Sequence, residues 1–319
     1  MKILSFEHIP VLLDETIELM QVRPGGIYVD GTLGGAGHSA EIIKRALPGG
    51  LLIGIDQDEN AIKAAGARLE QYGDNVHIVR NNFRNIKSIV EELGIKEVDG
   101  ILLDIGVSSH QIDEDERGFS YMNEGPLDMR MDTSNRLTAE VILNEYPEIE
   151  ITRILRDYGE EKWAARIAKF ICDDRKKYRL DNTQQLVDII RGAIPAAARR
   201  EGGHPAKRTF QALRIAVNDE LNVLEEALKA SVSILKPGGR ILVITFHSLE
   251  DRIVKTIFNS LERPCTCPPQ LPVCVCGKKP QVKVITRKPV TAGEGELAAN
   301  TRAKSAKLRA AERISSKEG

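Results

Sequence analysis

Five short apolar runs, several of them ending at an acidic or polar residue, constrain the fold of this chain more than any other feature. They occupy residues 27–30, 51–56, 76–79, 100–104 and 240–246. Runs of this length and composition are typical of parallel strands buried on both faces. Segments with helical spacing of apolar residues follow the first three runs, near residues 42–47, 61–68 and 86–93. The alternation predicts an α/β sheet covered by helices on both faces.

The spacing of the last two runs predicts an inserted domain. About 135 residues separate them, whereas a crossover between parallel strands needs only about a dozen. Apolar residues three or four apart, from Leu213 to Leu228, predict one crossover helix before the fifth run, stopped by residues 236–239. We therefore predict a Rossmann-like sheet domain, residues 1–111 and 208–319. A small helical domain at 112–207 interrupts it, with amphipathic segments near 151–158 and 186–193.

A glycine-rich loop, Asp30 to His38, follows the first predicted strand and opens the first predicted helix. Glycines let the backbone turn sharply and approach a ligand closely. Those at 31, 34, 35 and 37 lack the G-x-G-x-x-G spacing of dinucleotide sites, which argues against a nicotinamide oxidoreductase. A methionine-derived cofactor has no pyrophosphate, and a tight turn under its amino-acid and sulfonium portion suits it. A tight connection without a ligand is the structural alternative.

Further candidate side chains lie where successive predicted strands end. Asp56 ends the second strand, where a carboxylate can accept hydrogen bonds from ribose hydroxyls. Phe83 follows the third strand, where its ring either lies against adenine or simply packs in the core. Asp104 closes the fourth strand, although such an aspartate is often a helix cap. His38 either contacts the cofactor or caps the turn. Their joint placement at the edge where open α/β sheets bind ligands favours a cofactor site.

Charge is balanced overall but concentrated locally. The chain has 45 lysines and arginines against 46 acidic residues, so it is not a polycation that grips nucleic acid through phosphates alone. Residues 278–317 nevertheless contain eleven basic residues against three glutamates, and Arg199, Arg200, Lys207 and Arg208 surround His204. Either cluster can track RNA phosphates, or be only a solvated face.

Cysteine usage and hydropathy bear on compartment and metal content. The opening residues are too few for a signal-peptide core, and the apolar run near 241–246 is too short to cross a bilayer, so we expect a cytosolic protein with no membrane partner. Cys172 stands alone in a helical pattern. Cys265, Cys267, Cys274 and Cys276 form C-x-C-x6-C-x-C in a proline-rich stretch, for which zinc, reduced thiols and a redox disulfide remain open. No metal ligand is assigned to the cofactor site.

Longer strings resemble a known family. They are HIPVLL at 8–13, DGTLGGAGHS at 30–39, LDIGVSS at 103–109, GPLDMRMD at 125–132, HPAKRTFQALRIAVNDEL at 204–221 and FHSLEDR at 246–252. On these the chain closely resembles, over nearly its whole length, the MraW/RsmH ribosomal RNA methyltransferases. That family often has Leu where this chain has Ile105, a swap that should not alter the chemistry.

The resemblance implies S-adenosylmethionine as cofactor and the exocyclic N4 of a cytosine in 16S ribosomal RNA as acceptor, with the RNA within the small ribosomal subunit as partner. It places cofactor contacts on Ala36, Gly37, His38, Asp56, Phe83, Asp104 and Gln111. Gln111 is implied by the resemblance alone.

The catalytic group is less directly indicated. Many amino-methylating enzymes carry an Asp/Asn/Ser-Pro-Pro-aromatic segment after the fourth strand, and this chain has Asp104-Ile105-Gly106-Val107 there. A proton acceptor would help the cytosine amine attack, and we assign Asp104 or His247 as candidates, although His247 can instead cap the helix that begins at Ser248. Phe119, Tyr121 and Met129 form either a lid over the base or the insertion's core. A non-catalytic RNA-binding or assembly protein on the same scaffold is the alternative function.

Overall fold

A seven-stranded mixed sheet organises the larger part of the chain. The computed structural model describes residues 10–200, 203–268, 273 and 275–315. The strands are β1 (Ile27–Asp30), β2 (Leu51–Asp56), β3 (Val76–Arg80), β4 (Val98–Asp104), β5 (Leu235–Thr245), β6 (Val282–Val284) and β7 (Lys307–Arg313). Their order is β3-β2-β1-β4-β5-β7-β6. The pairs formed among β1 to β5 are all parallel, and β7 runs antiparallel to β5 and β6. The predicted α/β fold class is confirmed.

The described chain divides into two compact units, Met1–Gly106 with Leu221–Gly319, and Val107–Glu220. Helices of the sheet unit are α1 (Leu13–Met20), α2 (Gly37–Ala46), α3 (Glu59–Leu69), α4 (Ile86–Glu92), α11 (Glu220–Ile234, from Leu221 on), α12 (Ser248–Glu262) and α13 (Glu294–Ala299). Those of the second unit are α5 (Ser109–Asp113), α6 (Ala139–Glu145), α7 (Glu148–Gly159), α8 (Ala164–Asp174), α9 (Thr183–Ala193) and α10 (Lys207–Asn218). None of the helices in the described part of the chain is both long and apolar enough to cross a membrane.

The predicted single crossover helix is wrong, because α10 and α11 are separate helices. Asp219 adopts φ 52°, a left-handed conformation that ends α10. Leu213 and Val217 therefore lie in the core of the second unit, where α10 packs on α7, whereas Leu224 and Leu228 pack under the sheet. The second unit consequently extends beyond the expected 112–207 at both ends.

The predicted stop at residues 236–239 falls inside β5 rather than in a loop. Leu235 pairs with Val98 and Arg240 with Gly100, so the four residues between them oppose a single residue of β4. Such an insertion in one strand is a bulge-like irregularity, and proline and glycine accommodate it. The helix itself ends at Ile234, immediately before it.

Both faces of the sheet are buried, which explains the continuous apolar runs. On β4, Ile101 and Leu103 contribute to one core cluster, whereas Leu102 contributes to the other. Successive side chains of a strand point to opposite faces, so the consecutive residues Ile101, Leu102 and Leu103 are all apolar. The polar residues that close β1, β2 and β4 are thereby left together at the carboxyl edge.

Candidate cofactor site

The glycine-rich loop is held tightly against the sheet. Gly31 N–H donates to Leu102 O at 2.9 Å, and a Cβ on Gly31 would lie only 2.5 Å from Leu103 Cδ2. Ala36, directly before α2, has φ 56°, in the left-handed region, which costs a non-glycine residue about 1 kcal/mol. A Cβ on Gly37 would lie 2.2 Å from Pro10 Cγ. The loop thus adopts one strained, closely packed conformation.

Two carboxylates, Asp30, which is buried, and Asp56, which is partly buried, hold this loop in place. Asp30 accepts hydrogen bonds from Ser39 Oγ at 2.7 Å and Thr32 N at 3.1 Å. Asp56 accepts from Gly34 N at 2.8 Å and from Asp58 N at 2.9 Å. Burial raises the pKa of both groups, that of Asp56 to about 6. Asp30 was not among the predicted site residues, although it closes the first predicted strand as Asp56 and Asp104 close the second and fourth.

Asp104 lies at the end of β4 with an incompletely satisfied carboxyl group. Its backbone N–H donates to Thr32 Oγ1 at 2.6 Å. Its Oδ1 atom is buried without a hydrogen-bond partner among the described residues, while the side chain as a whole is 21% exposed. Burial, followed by the charges of Asp30 and Glu250, raises the pKa of Asp104 to about 8. This carboxyl group is therefore protonated at neutral pH in the unliganded protein.

His38 is buried and turned toward Asp104. Its Nε2 lies 3.0 Å from Val11 O, a contact in which the ring nitrogen must be the donor, because a carbonyl oxygen only accepts. Its Nδ1 lies 3.8 Å from Asp104 Oδ2. The structure thus brings His38 and Asp104 together, as the sequence predicts, and leaves the acceptor nitrogen of the ring facing the carboxyl group.

His247 serves as the N-cap of α12. Its Nδ1 accepts a long hydrogen bond, 3.5 Å, from Glu250 N, and Glu250 Oε2 accepts from Phe246 N at 2.8 Å. His247 Nε2 lies 2.9 Å from Glu250 Oε1. Both ring nitrogens thus face Glu250, a fully buried residue that the sequence analysis did not identify. The capping interpretation of His247 describes what the structure shows.

Two further predicted cofactor contacts, Phe83 and Gln111, have no contact with Asp104 or Asp56 among the hydrogen bonds and ion pairs of the described residues. Phe83 begins a single helical turn after β3, is partly buried and packs against the core under the sheet. Gln111 belongs to the second unit, is buried, and exchanges hydrogen bonds with Ser108: its Oε1 accepts from Ser108 N at 3.0 Å, and its N–H donates to Ser108 Oγ at 3.2 Å. Cofactor contact by either residue stays a prediction.

The predicted lid residues are mostly core. Phe119 and Met129 are 9% and 0% exposed and pack within the second unit, so the core interpretation is correct for these two. Tyr121 is partly exposed, and its ring stacks on His204 with centroids 4.6 Å apart. A large apolar side chain that follows a strand can equally close a pocket or fill a core, and the irregular sequence around these residues gave no periodicity to separate the two.

The basic tail is only partly available to a ligand. Arg309 is buried and donates to Asp251 at 2.6 Å, and Lys307 pairs with the same carboxylate at 3.3 Å. By contrast, Lys283 and Lys288 are exposed. A phosphate-binding role is thus limited to part of the predicted cluster.

The site as a whole is acidic and has the charge complementary to a cationic ligand. Asp30 and Glu250 lie close enough to Asp104 for their charges to raise its pKa. No cationic side chain among the described residues is a cause of that shift. Buried like charges disfavour ionisation, so a positively charged ligand would gain by replacing the proton. The site is suited to bind a cation beside a tight backbone turn.

Comparison with known proteins identifies the family. Residues 5–314 match the model of the MraW methylase family. A protein of Symbiobacterium thermophilum named ribosomal RNA small subunit methyltransferase H is 60% identical over 96% of both chains. Proteins of the same name from Heliobacterium modesticaldum and Heliobacterium mobile are each 61% identical, over 97% and 98% of this chain and 99% and 100% of theirs. The resemblance predicted from the sequence is confirmed, and the chain belongs to the MraW methylase family.

Proposed function

We propose that this protein is a cytoplasmic S-adenosylmethionine-dependent methyltransferase that methylates the exocyclic N4 of a cytosine in 16S ribosomal RNA. The observation that carries the proposal is the near-full-length similarity to relatives named ribosomal RNA small subunit methyltransferase H. The choice of N4 and of cytosine rests on the resemblance of the strings quoted above.

The acidic cluster supports the cofactor assignment. S-adenosylmethionine supplies a methyl group on a sulfonium that is displaced in line, without a metal. Its positive charge complements Asp104, whose Oδ1 is buried without a partner among the described residues. The backbone turn from Ala36 to His38 would hold the amino-acid portion of the cofactor. Asp56 would turn toward the ribose, and Phe83 toward the adenine. The family resemblance adds Gln111 to the proposed cofactor contacts.

The geometry supports Asp104 over His247 as the group that accepts a proton from the amine. His247 Nδ1 already accepts from Glu250 N, so Nε2 carries the proton and faces Glu250 Oε1. Asp104, in contrast, has an Oδ1 without a hydrogen-bond partner among the described residues, and a cation bound beside it would lower its pKa from about 8 toward the ionised range. An ionised Asp104 can accept the hydrogen bond that helps the amine pyramidalise.

The second unit supports RNA recognition. Tyr121 and His204 are stacked, with an angle of 12° between their rings. Exposed cations lie on both sides of His204 in the chain: Arg199 precedes it, and Lys207 and Arg208 follow it. Aromatic stacking and phosphate-binding cations are the usual means of holding an unpaired base. We therefore propose that this unit recognises the ribosomal RNA of the small subunit.

The test is methyl transfer from labelled S-adenosylmethionine to small ribosomal subunits and to naked 16S RNA, both lacking the modification. After digestion, we expect N4-methylated cytidine as the labelled nucleoside. In single turnovers with bound cofactor, Asp104→Asn should lose far more activity than His247→Asn, which retains a good N-cap. Asp74→Asn, an exposed site, is the control.

Three other outcomes are informative. A larger loss in His247→Asn would assign the acceptor role to the histidine. Label on a different nucleoside would overturn the N4-cytosine assignment. No transfer to any RNA, with tight RNA binding and cofactor bound, would favour a non-catalytic assembly protein.

A further inference from the structure

The segment between α12 and β6 has little apolar packing of its own. Its ends are joined where Gln281 N donates to Leu261 O at 2.8 Å, and Glu262 accepts from Val284 N at 2.8 Å. Among its described residues, Val273 and Val275 are 69% and 76% exposed. The described residues of this excursion are all partly or fully exposed, so a covalent or metal crosslink would supply order that apolar packing does not.

Three cysteines of this excursion converge. The Sγ atoms of Cys265, Cys267 and Cys276 all lie within 4.8 Å of one another. Thiolates around a tetrahedral zinc ion, each about 2.3 Å from the metal, are about 3.8 Å apart. Small side-chain rotations therefore suffice to bring the three sulfur atoms to coordinating positions.

The surroundings of these sulfur atoms suit bound thiolates. Val275 N donates to Cys267 Sγ at 3.4 Å, the type of backbone contact that orients a metal ligand and stabilises its charge. Three thiolates and one divalent zinc leave a net negative charge. The exposed cations Arg263, Lys278 and Lys279 lie on the two sides of the segment in sequence and can offset it.

We propose that Cys265, Cys267 and Cys276 bind a structural zinc ion that crosslinks this excursion. Three mutually adjacent sulfur atoms exceed the two that a single disulfide uses, whereas tetrahedral zinc uses three or four. Cys274 belongs to the same sequence cluster but lies outside the described residues, and the proposal does not depend on it. The site is separate from the residues assigned to the cofactor, so it stands or falls independently of the methyl-transfer proposal.

The test is the zinc content of the full-length protein, purified in a non-thiol reductant without chelator. We expect about one zinc per chain, and a loss of at least about tenfold in the double variant Cys265→Ser/Cys267→Ser. Cys172→Ala is the matched control, because this cysteine is buried in α8 of the second unit, and its zinc content should equal that of the wild type.

A second measurement covers the case in which the double variant is unstable. The zinc chelator EDTA should accelerate tryptic cleavage after Lys278, the basic residue beside this segment that is not followed by proline, in the wild type and in Cys172→Ala. Cobalt reconstitution should give thiolate-to-cobalt charge-transfer bands in both. Less than stoichiometric zinc with no cobalt bands, full zinc in the double variant, or a disulfide among these cysteines in protein from a reducing cytosol would each overturn the proposal.

Discussion

Asp104 should make the unliganded protein progressively less stable as pH rises from about 4 to about 8, and Asp104→Asn should remove that dependence. The structure raises the pKa of this carboxyl group from 3.8 to about 8. In the unfolded chain the group ionises near pH 3.8, so above that value the folded state binds more protons than the unfolded state. Stability must therefore fall as pH rises, until the folded state also ionises near pH 8.

The size of the effect follows from the shift. Each pH unit between the two pKa values costs about 1.4 kcal/mol, so between about pH 5 and pH 8 the wild type should lose about 4 kcal/mol relative to Asp104→Asn. Above about pH 8 the difference should become constant. Asparagine has nearly the same shape and does not titrate in this range, so the comparison isolates the ionisation.

Urea denaturation of both proteins across this pH range, without cofactor, measures the effect. Asp56→Asn is a matched control, because the pKa of Asp56 is raised only to about 6. Its stability difference from the wild type should stop growing near pH 6. Parallel stability curves for the wild type and Asp104→Asn would refute the assignment of a raised pKa to Asp104.

Three further predictions follow from the geometry. Because the bound cation displaces the proton of Asp104, affinity for S-adenosylmethionine should rise with increasing pH, by up to about tenfold per pH unit, and level off near pH 8. Calorimetry should find a weaker pH dependence of this affinity in Asp104→Asn, and equal slopes in the two proteins would contradict this. Gly37→Ala places a Cβ 2.2 Å from Pro10 Cγ and should lower the free energy of unfolding by about 1–3 kcal/mol, whereas Gly66→Ala, in an open position of α3, should raise it slightly. Asp99 is buried, accepts hydrogen bonds from Ile27 N, Arg23 and Lys236, and has a lowered pKa. Because both cations are partly exposed, Asp99→Ala should cost only about 2 kcal/mol near pH 7, and less as pH falls below about 4; an unchanged denaturation midpoint would show that these contacts contribute nothing.

Strand positions were predictable where burial on both faces leaves a continuous apolar run. The ends of β1 and β2 were predicted to the residue for this reason. The charged β7 was missed, because its buried Arg309 is neutralised by Asp251 of α12. Asp251 is 58 residues away from Arg309 in the chain, so the local sequence around β7 does not indicate that this arginine is paired and buried.

The crossover helix was mispredicted because apolar spacing is blind to a change of domain. Leu213 to Leu228 keep helical spacing through Asp219, yet the two halves pack into different cores. Aspartate tolerates the left-handed conformation better than most residues, but nothing nearby in the sequence marks this position as a helix end. Tertiary packing decides which of the two solutions is adopted.

At the site, the positions of Asp56 and Asp104 followed from strand ends, but their chemistry did not. The elevated pKa of Asp104 depends on burial and on two other carboxylates, one of them Glu250 at the start of α12. Local sequence cannot supply that information, since it depends on which elements meet at the carboxyl edge. The same applies to His247, whose ring contacts a carboxylate rather than solvent.

The acidic cluster of Asp30, Asp104 and Glu250 lowers the stability of the unliganded protein and favours binding of a cation. Buried carboxyl groups with raised pKa values destabilise a fold at neutral pH relative to neutral side chains of similar shape. Asp30 and Asp104, at the ends of β1 and β4, have this character in the unliganded protein. A cationic ligand reverses the sign, because it converts mutual repulsion into attraction and releases a proton. Cofactor binding, proton release and added stability should therefore be linked through Asp104, and a neutral analogue that lacks the sulfonium charge should stabilise the protein less at the same fractional occupancy.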